Sequence, residues 1–323
     1  MSLFRTFRGL AAALLLAACA PSFGPDVTGS VPPSVGDDVV IARDGTRLPL
    51  RRWDAEGGKP RAVIVALHGM SDYSNAFDMP GKVWARLGIT TLAYDQRGFG
   101  KNENPGVWVG ANAMRSDLND AVAAARARYP GVPVFALGES MGGAVVLSGL
   151  GSPQPPAVDG IILVAPAVWS RGDMPMLYRV ALFLGAHILP NMILPNSAAA
   201  RVKKIVPSDN IPMLIALGKD PLFQKETRTA TLYGLVNLMD EARTAPERMK
   251  DGRIITAPPI LFLYGANDQI IPKEPTEAVI AALGDKAKVK HYSRGYHMLL
   301  RDLGGESVDR DIADWIFRNA RNS

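Results

Sequence analysis

The stretch Gly138-Glu139-Ser140-Met141-Gly142 decides the fold of this chain. A short apolar run precedes it at 134–137, and a predicted helix follows it at 141–150. A glycine on each side of a serine permits the tight strand-to-helix turn that lifts the serine hydroxyl above a sheet. The amide dipoles at the start of the helix favour negative charge at that point. The sequence therefore predicts that Ser140 is a nucleophile at the carboxyl end of a buried strand.

Strands and helices are predicted to alternate on both sides of this turn. Continuous apolar runs, typical of parallel strands buried on both faces, occur at 62–67, 90–94, 134–137, 161–164 and 260–264. The last strand is predicted at 289–292. Predicted helices lie at 78–87, 112–129, 141–150, 274–283 and 307–319. Ahead of them, Asp44-Gly45 separates 39–41 from 47–53, as in an antiparallel hairpin. The pattern predicts an α/β fold with a mostly parallel, doubly wound sheet that begins with this hairpin.

One long segment interrupts the alternation. Residues 169–257 contain no good strand and are too many for a plain loop. We expect them to form an inserted helical cap between two parts of one core, 38–168 and 258–323. Within the cap, 174–194 is dense in Met, Leu, Phe and Ile. These residues either pack the cap's own small core or form an apolar underside that receives an acyl chain, and the pattern leaves both interpretations open.

A serine hydroxyl needs a histidine to accept its proton and an acid to orient that histidine. Among the chain's four histidines, His297 lies in the loop after the last predicted strand. The order serine, acid, histidine of the α/β-hydrolase fold places the base there. Asp268 follows the predicted strand at 260–264 and is the predicted acid. The predicted catalytic residues are therefore Ser140, Asp268 and His297.

Two backbone amides are needed to stabilise the negative charge that develops on the substrate oxygen. The amide of Met141, directly after the nucleophile, is one predicted donor. The amide of Met70 is the other, because His68-Gly69-Met70 follows the first parallel strand. We expect the His68 ring to brace this loop and to take no part in proton transfer.

The first 19 residues predict export from the cytoplasm. Arg5 and Arg8 precede an apolar run at 10–16, which is too short to span a bilayer. Leu16-Ala17-Ala18-Cys19 then resembles a bacterial lipobox, and Cys19 is the one cysteine in the chain. We predict a lipoprotein signal peptide at 1–18, lipidation of Cys19 and a flexible tether at 19–37. The protein would be anchored in the bacterial cell envelope, at the outer membrane facing the periplasm; an ordinary signal peptide with a chance cysteine is the alternative.

Charge and composition limit which other partners the protein can have. Two of the 36 basic residues lie in the predicted signal peptide, which leaves 34 against 31 acidic residues. No basic stretch is interleaved with aromatic residues, so we predict no nucleic-acid partner. The sequence has no cluster of histidines, cysteines and carboxylates and no phosphate-binding loop. We therefore predict neither a metal site nor a cofactor.

Several motifs resemble those of the monoglyceride lipase and lysophospholipase family of α/β-hydrolases, over roughly residues 38–320. In chain order they are His68-Gly69-Met70, Tyr94-Asp95-Gln96-Arg97-Gly98-Phe99-Gly100, Gly138-Glu139-Ser140-Met141-Gly142-Gly143, Asp268 and Tyr296-His297. The resemblance implies the same triad, the same two oxyanion donors and a helical cap that binds one acyl chain.

The chain departs from that family pattern at two places near the predicted site. The family often has Gly-Glu-His after the oxyanion residue, where this chain has Ser71-Asp72-Tyr73. Many members have histidine at the position of Glu139. These departures leave the triad unchanged and affect the expected pocket for the acceptor group.

The expected activity is cleavage of a carboxylic ester of a lipid-like substrate through an acyl-enzyme on Ser140. Monoacylglycerol and lysophospholipid are the substrates that the resemblance implies. A general carboxylesterase and an acyltransferase to an acceptor other than water remain open. The alternative outside the enzymes is a non-catalytic lipoprotein that binds a lipid or a partner protein. Such a protein would lack at least one member of the catalytic triad.

Overall fold

The computed structural model describes residues 27–196, 205–250 and 257–320. The predicted signal peptide, Cys19 and the first part of the predicted tether lie outside the described residues. Within these three ranges, no helix combines the length and the apolar character that crossing a bilayer requires.

Nine strands form one sheet, most of which is parallel. The strands of the chain are β1 (Ser34–Val35), β2 (Val39–Ile41), β3 (Arg47–Trp53), β4 (Ala62–Leu67), β5 (Ile89–Tyr94), β6 (Val134–Glu139), β7 (Gly160–Val164), β8 (Ile193–Pro195), β9 (Glu226–Arg228), β10 (Ile260–Gly265) and β11 (Ala287–Tyr292). Their order across the large sheet is β1-β2-β3-β5-β4-β6-β7-β10-β11. Pairing is antiparallel from β1 to β5 and parallel from β5 to β11. The predicted α/β fold, with its N-terminal antiparallel hairpin, is confirmed.

Helices cover both faces of the sheet. They are α1 (Asp78–Arg86), α2 (Ala111–Arg128), α3 (Met141–Leu150), α4 (Met176–Ile188), α5 (Ile211–Lys219), α6 (Thr229–Lys250), α7 (Lys273–Leu283) and α8 (Gly305–Asn319). On one face, Leu118 of α2, Val145 of α3 and Val279 of α7 join the larger buried cluster. On the other face, Trp84 of α1 and Ile312 of α8 join the second cluster. Strands β4, β5, β6, β7 and β10 are therefore buried on both sides, as their largely apolar sequences require, and β11 at the edge of the sheet is partly exposed.

The strand order reverses direction at β4. The chain leaves β4 for β5 on one side and later adds β6 on the other side. Leu67 at the end of β4 lies beside Gly138 of β6 in the parallel register. The loops that follow these two strands therefore meet at a topological switch point, where sheets of this kind bind their ligands.

The folded body begins earlier than the sequence analysis expected. Ser34 and Val35, assigned to the tether at 19–37, pair with Ile41 and Val40 of β2. The amide of Val31 also donates to the Arg43 carbonyl over 3.0 Å. An edge strand such as β2 presents unpaired backbone groups, and the extended segment before it satisfies them. The tether prediction is therefore wrong for the end of that segment.

The cap is mainly helical, as predicted, but it also contains a short antiparallel sheet of β8 and β9 that the sequence analysis missed. Helix α6 places Val236 and Ala242 in the same buried cluster as α3, and so it joins the cap to the core. Helix α4 differs, because Ala186 is the only one of its residues that is buried. Leu182 of α4 packs, half-buried, against the larger buried cluster, whereas Met176, Leu177, Phe183 and Ile188 are exposed. Most of the apolar surface of α4 therefore does not pack a core of the cap.

Candidate active site

Ser140 lies at the junction of β6 and α3 with φ +53° and ψ −116°. A residue other than glycine is strained there and keeps the conformation only where its surroundings fix it. The amide of Ser140 donates to the Val164 carbonyl on β7 over 3.0 Å. A Cβ atom on Gly138 would overlap the Gly142 carbonyl, and one on Gly142 would overlap the Leu67 carbonyl. The two glycines of the motif are thus required by close backbone packing around the serine.

His297 and Asp268 form a buried pair. His297 Nδ1 donates to Asp268 Oδ2 over 2.8 Å, and the two side chains are 7% and 0% exposed. The other oxygen of Asp268 accepts the amides of Ile270 and Ile271 at 2.8 and 3.0 Å. The carboxylate is therefore held by the start of its own loop. It fixes the tautomer of His297 and leaves Nε2 as the atom that can accept a proton.

The environment of His297 raises its pKa above the ordinary value. Burial by itself lowers the pKa, because it disfavours the charged ring. The negative charge of Asp268, its hydrogen bond and the charge of Glu139 outweigh burial. The charge of Arg301 acts in the opposite direction. The ring is thus a stronger base than a free histidine, as proton abstraction from a hydroxyl requires.

The loop after β4 approaches the serine closely. A Cβ atom on Gly69 would lie 3.2 Å from Ser140 Cβ, so the backbone of this loop passes beside the nucleophile. The next amide along the chain is that of Met70, and the amide of Met141 stands at the first turn of α3, where a helix offers no acceptor of its own. Both predicted oxyanion donors therefore belong to segments that flank Ser140.

His68 is buried behind this loop. Its Nε2 accepts the amide of Gln96 over 2.9 Å, and its Nδ1 donates to the Gly69 carbonyl over 2.8 Å. Burial lowers the pKa of His68 and keeps the ring neutral. With both ring nitrogens engaged, the imidazole braces the loop, as the sequence analysis expected.

The remaining histidines lie apart from the pair. His187 of α4 stacks on Phe183 with ring centroids 4.0 Å apart. Nε2 of His291, on β11, lies 3.3 Å from the Glu277 carboxylate. In the described part of the chain, no group of three histidines, cysteines or carboxylates could hold a metal ion.

Sequence reasoning missed the role of the Asp-Gln-Arg-Gly turn. Arg97 donates from Nε and Nη2 to the two oxygens of Asp117 on α2, at 2.8 and 2.7 Å. It also donates from Nη1 to Asp44 of the hairpin over 2.8 Å. Together with the bond from Gln96 to His68, this turn ties the oxyanion loop to the hairpin and to α2. The three charged residues are far apart in the chain, so no local pattern could have joined them.

The cap is bonded to the two loops on either side of the serine. In the oxyanion loop, Ser71 Oγ accepts Asn196 Nδ2 over 2.9 Å, and the Tyr73 hydroxyl donates to Asp220 over 2.7 Å. In the loop after His297, the Asp302 carboxylate accepts the Ser208 hydroxyl over 2.7 Å. Ser71 and Tyr73, where the chain departs from the family pattern, therefore help to hold the cap in place.

A parallel sheet with a strained serine between strand and helix, and a histidine–aspartate pair after its later strands, defines an α/β-hydrolase. The chain belongs to the family Hydrolase_4, described as serine aminopeptidase, S33, whose sequence model matches residues 58–304. The chain is therefore a serine hydrolase, as the motif at 138–142 predicts.

Known proteins with similar sequences and structures are named as lipases. A monoglyceride lipase of Rattus norvegicus is 27% identical over 86% of this chain and 89% of its own length. A monoacylglycerol lipase of Mycolicibacterium smegmatis is 26% identical over 84% of this chain and 93% of its own length. The crystal structure of the monoacylglycerol lipase of Paleococcus ferrophilus has a TM-score of 0.69 at 19% identity, and the match covers 85% of this chain and 100% of that one.

Proposed function

We propose that this carboxylic ester hydrolase cleaves lipids with a single acyl chain, of the monoacylglycerol or lysophospholipid type. The observation that carries the proposal is the buried pair of His297 and Asp268 at the same edge of the sheet as the strained Ser140. The relatives named as monoglyceride lipases support the substrate class.

In the proposed reaction, His297 Nε2 accepts the proton of the Ser140 hydroxyl while Oγ attacks the ester carbonyl carbon. The carbonyl electron pair moves onto the oxygen, which the amides of Met70 and Met141 hold. Collapse of this intermediate expels the alcohol, which takes the proton from His297 and leaves an acyl-enzyme. A water molecule, deprotonated by the same histidine, then attacks the acyl carbon, and the carboxylic acid leaves as Ser140 regains its proton. Asp268 holds the imidazolium that forms in both steps.

The surface of the cap supports a lipid substrate. Leu177 of α4 is 74% exposed, and Met176, Leu184, Ile211 and Ile215 of α4 and α5 are also exposed. Neither helix needs these side chains for internal packing, since α4 buries Ala186 alone and α5 buries none of its residues. Several exposed apolar side chains on one helix, as on α4, are typical of surfaces that meet lipids or other apolar partners.

The test is the activity of the purified mature protein on an ester chain-length series, with monoacylglycerols and lysophospholipids side by side. We expect a clear optimum at medium or long chains, and Ser140→Ala should abolish turnover while the melting temperature stays within a few degrees. A flat preference for acetate or butyrate would support a general carboxylesterase instead. Faster cleavage of an aminoacyl p-nitroanilide than of any ester would support a peptidase and contradict the proposal.

We also propose that the protein is attached to the bacterial envelope through lipid on Cys19. The support is the sequence of residues 1–19, which lie outside the described part of the structure. Metabolic labelling with an alkyne fatty acid in a bacterial host should label the wild type and leave Cys19→Ser unlabelled. Equal labelling of both proteins, or of neither, would contradict this attachment.

A further inference from the structure

Arg301 is a buried cation shared by two carboxylates. Its Nη2 atom lies 2.8 Å from Asp72 Oδ2 and 3.3 Å from Glu139 Oε2. The three side chains are 7%, 3% and 2% exposed, in the order Arg301, Asp72, Glu139. A buried ion cluster of this kind exists only where the charges compensate one another, because desolvation of an unpaired charge costs several kcal/mol.

The three residues come from three different segments around the active site. Asp72 lies in the oxyanion loop, two residues after Met70, and Glu139 directly precedes the nucleophile. Arg301 lies four residues after His297, in the same loop. One guanidinium therefore joins the segments that carry the oxyanion donor, the nucleophile and the base.

We propose that Arg301 is a positioning residue for hydrolysis, which holds these three segments together and offsets the charge of Glu139 that faces His297. The inference rests on the proposed role of His297 as the base. It also accounts for one departure from the family pattern, because Glu139, which stands where many members have histidine, meets Arg301.

The charges around His297 make the proposal testable. Asp268 and Glu139 raise the pKa of His297, and Arg301 lowers it. Glu139 in turn faces Arg301, Asp72, His297 and Asp302. Removal of the guanidinium would take a positive charge from beside the imidazole and leave Glu139 without its cation, whereas neutralisation of Glu139 would remove one negative charge. The two changes should therefore move the titration of His297 in opposite directions.

Arg97 provides a matched control. It is also largely buried, at 15% side-chain exposure, and it also binds two carboxylates, Asp44 and Asp117. Neither of these carboxylates is among the charged groups that shift the pKa of His297. Loss of Arg97 should therefore reproduce the loss of stability without the change in titration.

The experiment compares the full mature protein with Arg301→Met, Arg301→Lys, Glu139→Gln and Arg97→Met. The His297 imidazole is titrated by NMR, with its signal assigned from His297→Asn, and the pH dependence of kcat/KM is measured on p-nitrophenyl butyrate. We expect Arg301→Met to raise the His297 midpoint by about one pH unit and Glu139→Gln to lower it by about half a unit. In Arg301→Met, kcat should fall about tenfold or more, while KM changes less than about threefold.

In Arg301→Lys the His297 midpoint should return close to its wild-type value, and kcat should recover only in part. The lysine ammonium supplies the charge without the planar fork of a guanidinium. Arg97→Met should lower the melting temperature and leave the midpoint unchanged. If Arg301→Met and Glu139→Gln both leave the midpoint where it is in the wild type, Arg301 has a structural role only and the inference is wrong. If Arg301→Met fails to fold, the His297 midpoint of Glu139→Gln alone decides the inference. That variant is expected to fold, because Arg301 stays paired with Asp72. Absence of ester turnover in the wild type would overturn the proposed function, and the NMR titration would still decide this inference.

Discussion

The catalytic edge, formed by the loops after β4, β6, β10 and β11, is far more tightly packed than helices α4 and α5 of the cap. At Gly142 a single added carbon would overlap the Leu67 carbonyl, whereas at Gly218 of α5 no atom lies within 4 Å of that position. The Asp268 side chain is 0% exposed, and Leu177 of the cap is 74% exposed. The positions of the reacting groups are thus set by backbone contacts that tolerate no change. Helices α4 and α5 of the cap present a surface that can vary without disturbing them.

The largest effect is expected at the acid of the catalytic edge. Asp268→Asn should lower kcat by about 10⁴-fold, because the amide cannot hold His297 in the tautomer that accepts a proton at Nε2. Steady-state kinetics on p-nitrophenyl butyrate measures the loss, and the exposed Asp285→Asn serves as the control with wild-type rates. A loss smaller than about tenfold would remove Asp268 from the triad.

A pair of glycine variants tests the difference in packing directly. Gly142→Ala should lower the free energy of unfolding by at least about 1–3 kcal/mol, because the new methyl group forces apart the backbones of α3 and β4. Gly218→Ala lies in a helix with open space around it and should stabilise by about 0.5–1 kcal/mol. Urea denaturation measures both. If the two variants were equally stable, the contrast between edge and cap would not hold.

In the cap, the expected effect is on recognition. The double variant Leu177→Ser and Ile215→Ser should raise KM for a long-chain monoacylglycerol about thirtyfold, since each of the two side chains that cover the acyl chain contributes about 1 kcal/mol. The rate on p-nitrophenyl acetate should stay unchanged, because a two-carbon acyl group does not reach the cap. Lys219→Ser, at the end of α5, is the matched control. An equal loss on both esters would mean that the cap disturbs the chemistry.

The last effect concerns stability and appears only at the higher of two pH values. Burial, with smaller contributions from Glu306 and Glu139, raises the pKa of Asp309 to about 8. Between about pH 4 and pH 8 the unfolded chain therefore releases a proton that the folded protein keeps, so this group makes the fold less stable as the pH rises. Asp309→Asn cannot ionise at this position, so its stability does not fall as the pH rises. It should be more stable than the wild type by about 1–3 kcal/mol at pH 8, with little difference near pH 4.

Urea denaturation at the two pH values measures this difference, with the exposed Asp314→Asn as the control. If the variant is more stable than the wild type by the same amount at both pH values, ionisation of Asp309 is not the cause of the difference in stability.

The catalytic edge was more predictable from the sequence than the cap, because local patterns determine it. The motif around Ser140 combines a buried strand, a turn that needs glycines and a helix start within a few residues. The order of the strands then places Asp268 and His297 at the carboxyl ends of later strands, where the structure brings them within 2.8 Å. Each of these inferences depends on neighbours in the chain or on the rule that parallel strands end at one edge.

The features that were missed depend on contacts between distant parts of the chain. Arg301 meets Asp72 across 229 positions, and nothing near either residue indicates the pairing. The pairing of β8 with β9 likewise joins two three-residue strands that have no periodicity of their own. Apolar composition alone could not show that α4 leaves its side chains exposed, because buried and exposed apolar helices have similar sequences.

The pairing of β1 with β2 has a mechanical consequence. If the protein is anchored by a lipid on Cys19, a force on the anchor acts first on the segment from Val31 to Val35, which ends in the outermost strand of the sheet. Strands β2, β3 and β5 lie between that strand and β4, the first strand that carries a catalytic loop. Tension on the anchor would therefore break the hydrogen bonds between β1 and β2 first. The distance between Ser140 and His297 would not change when the anchor moves.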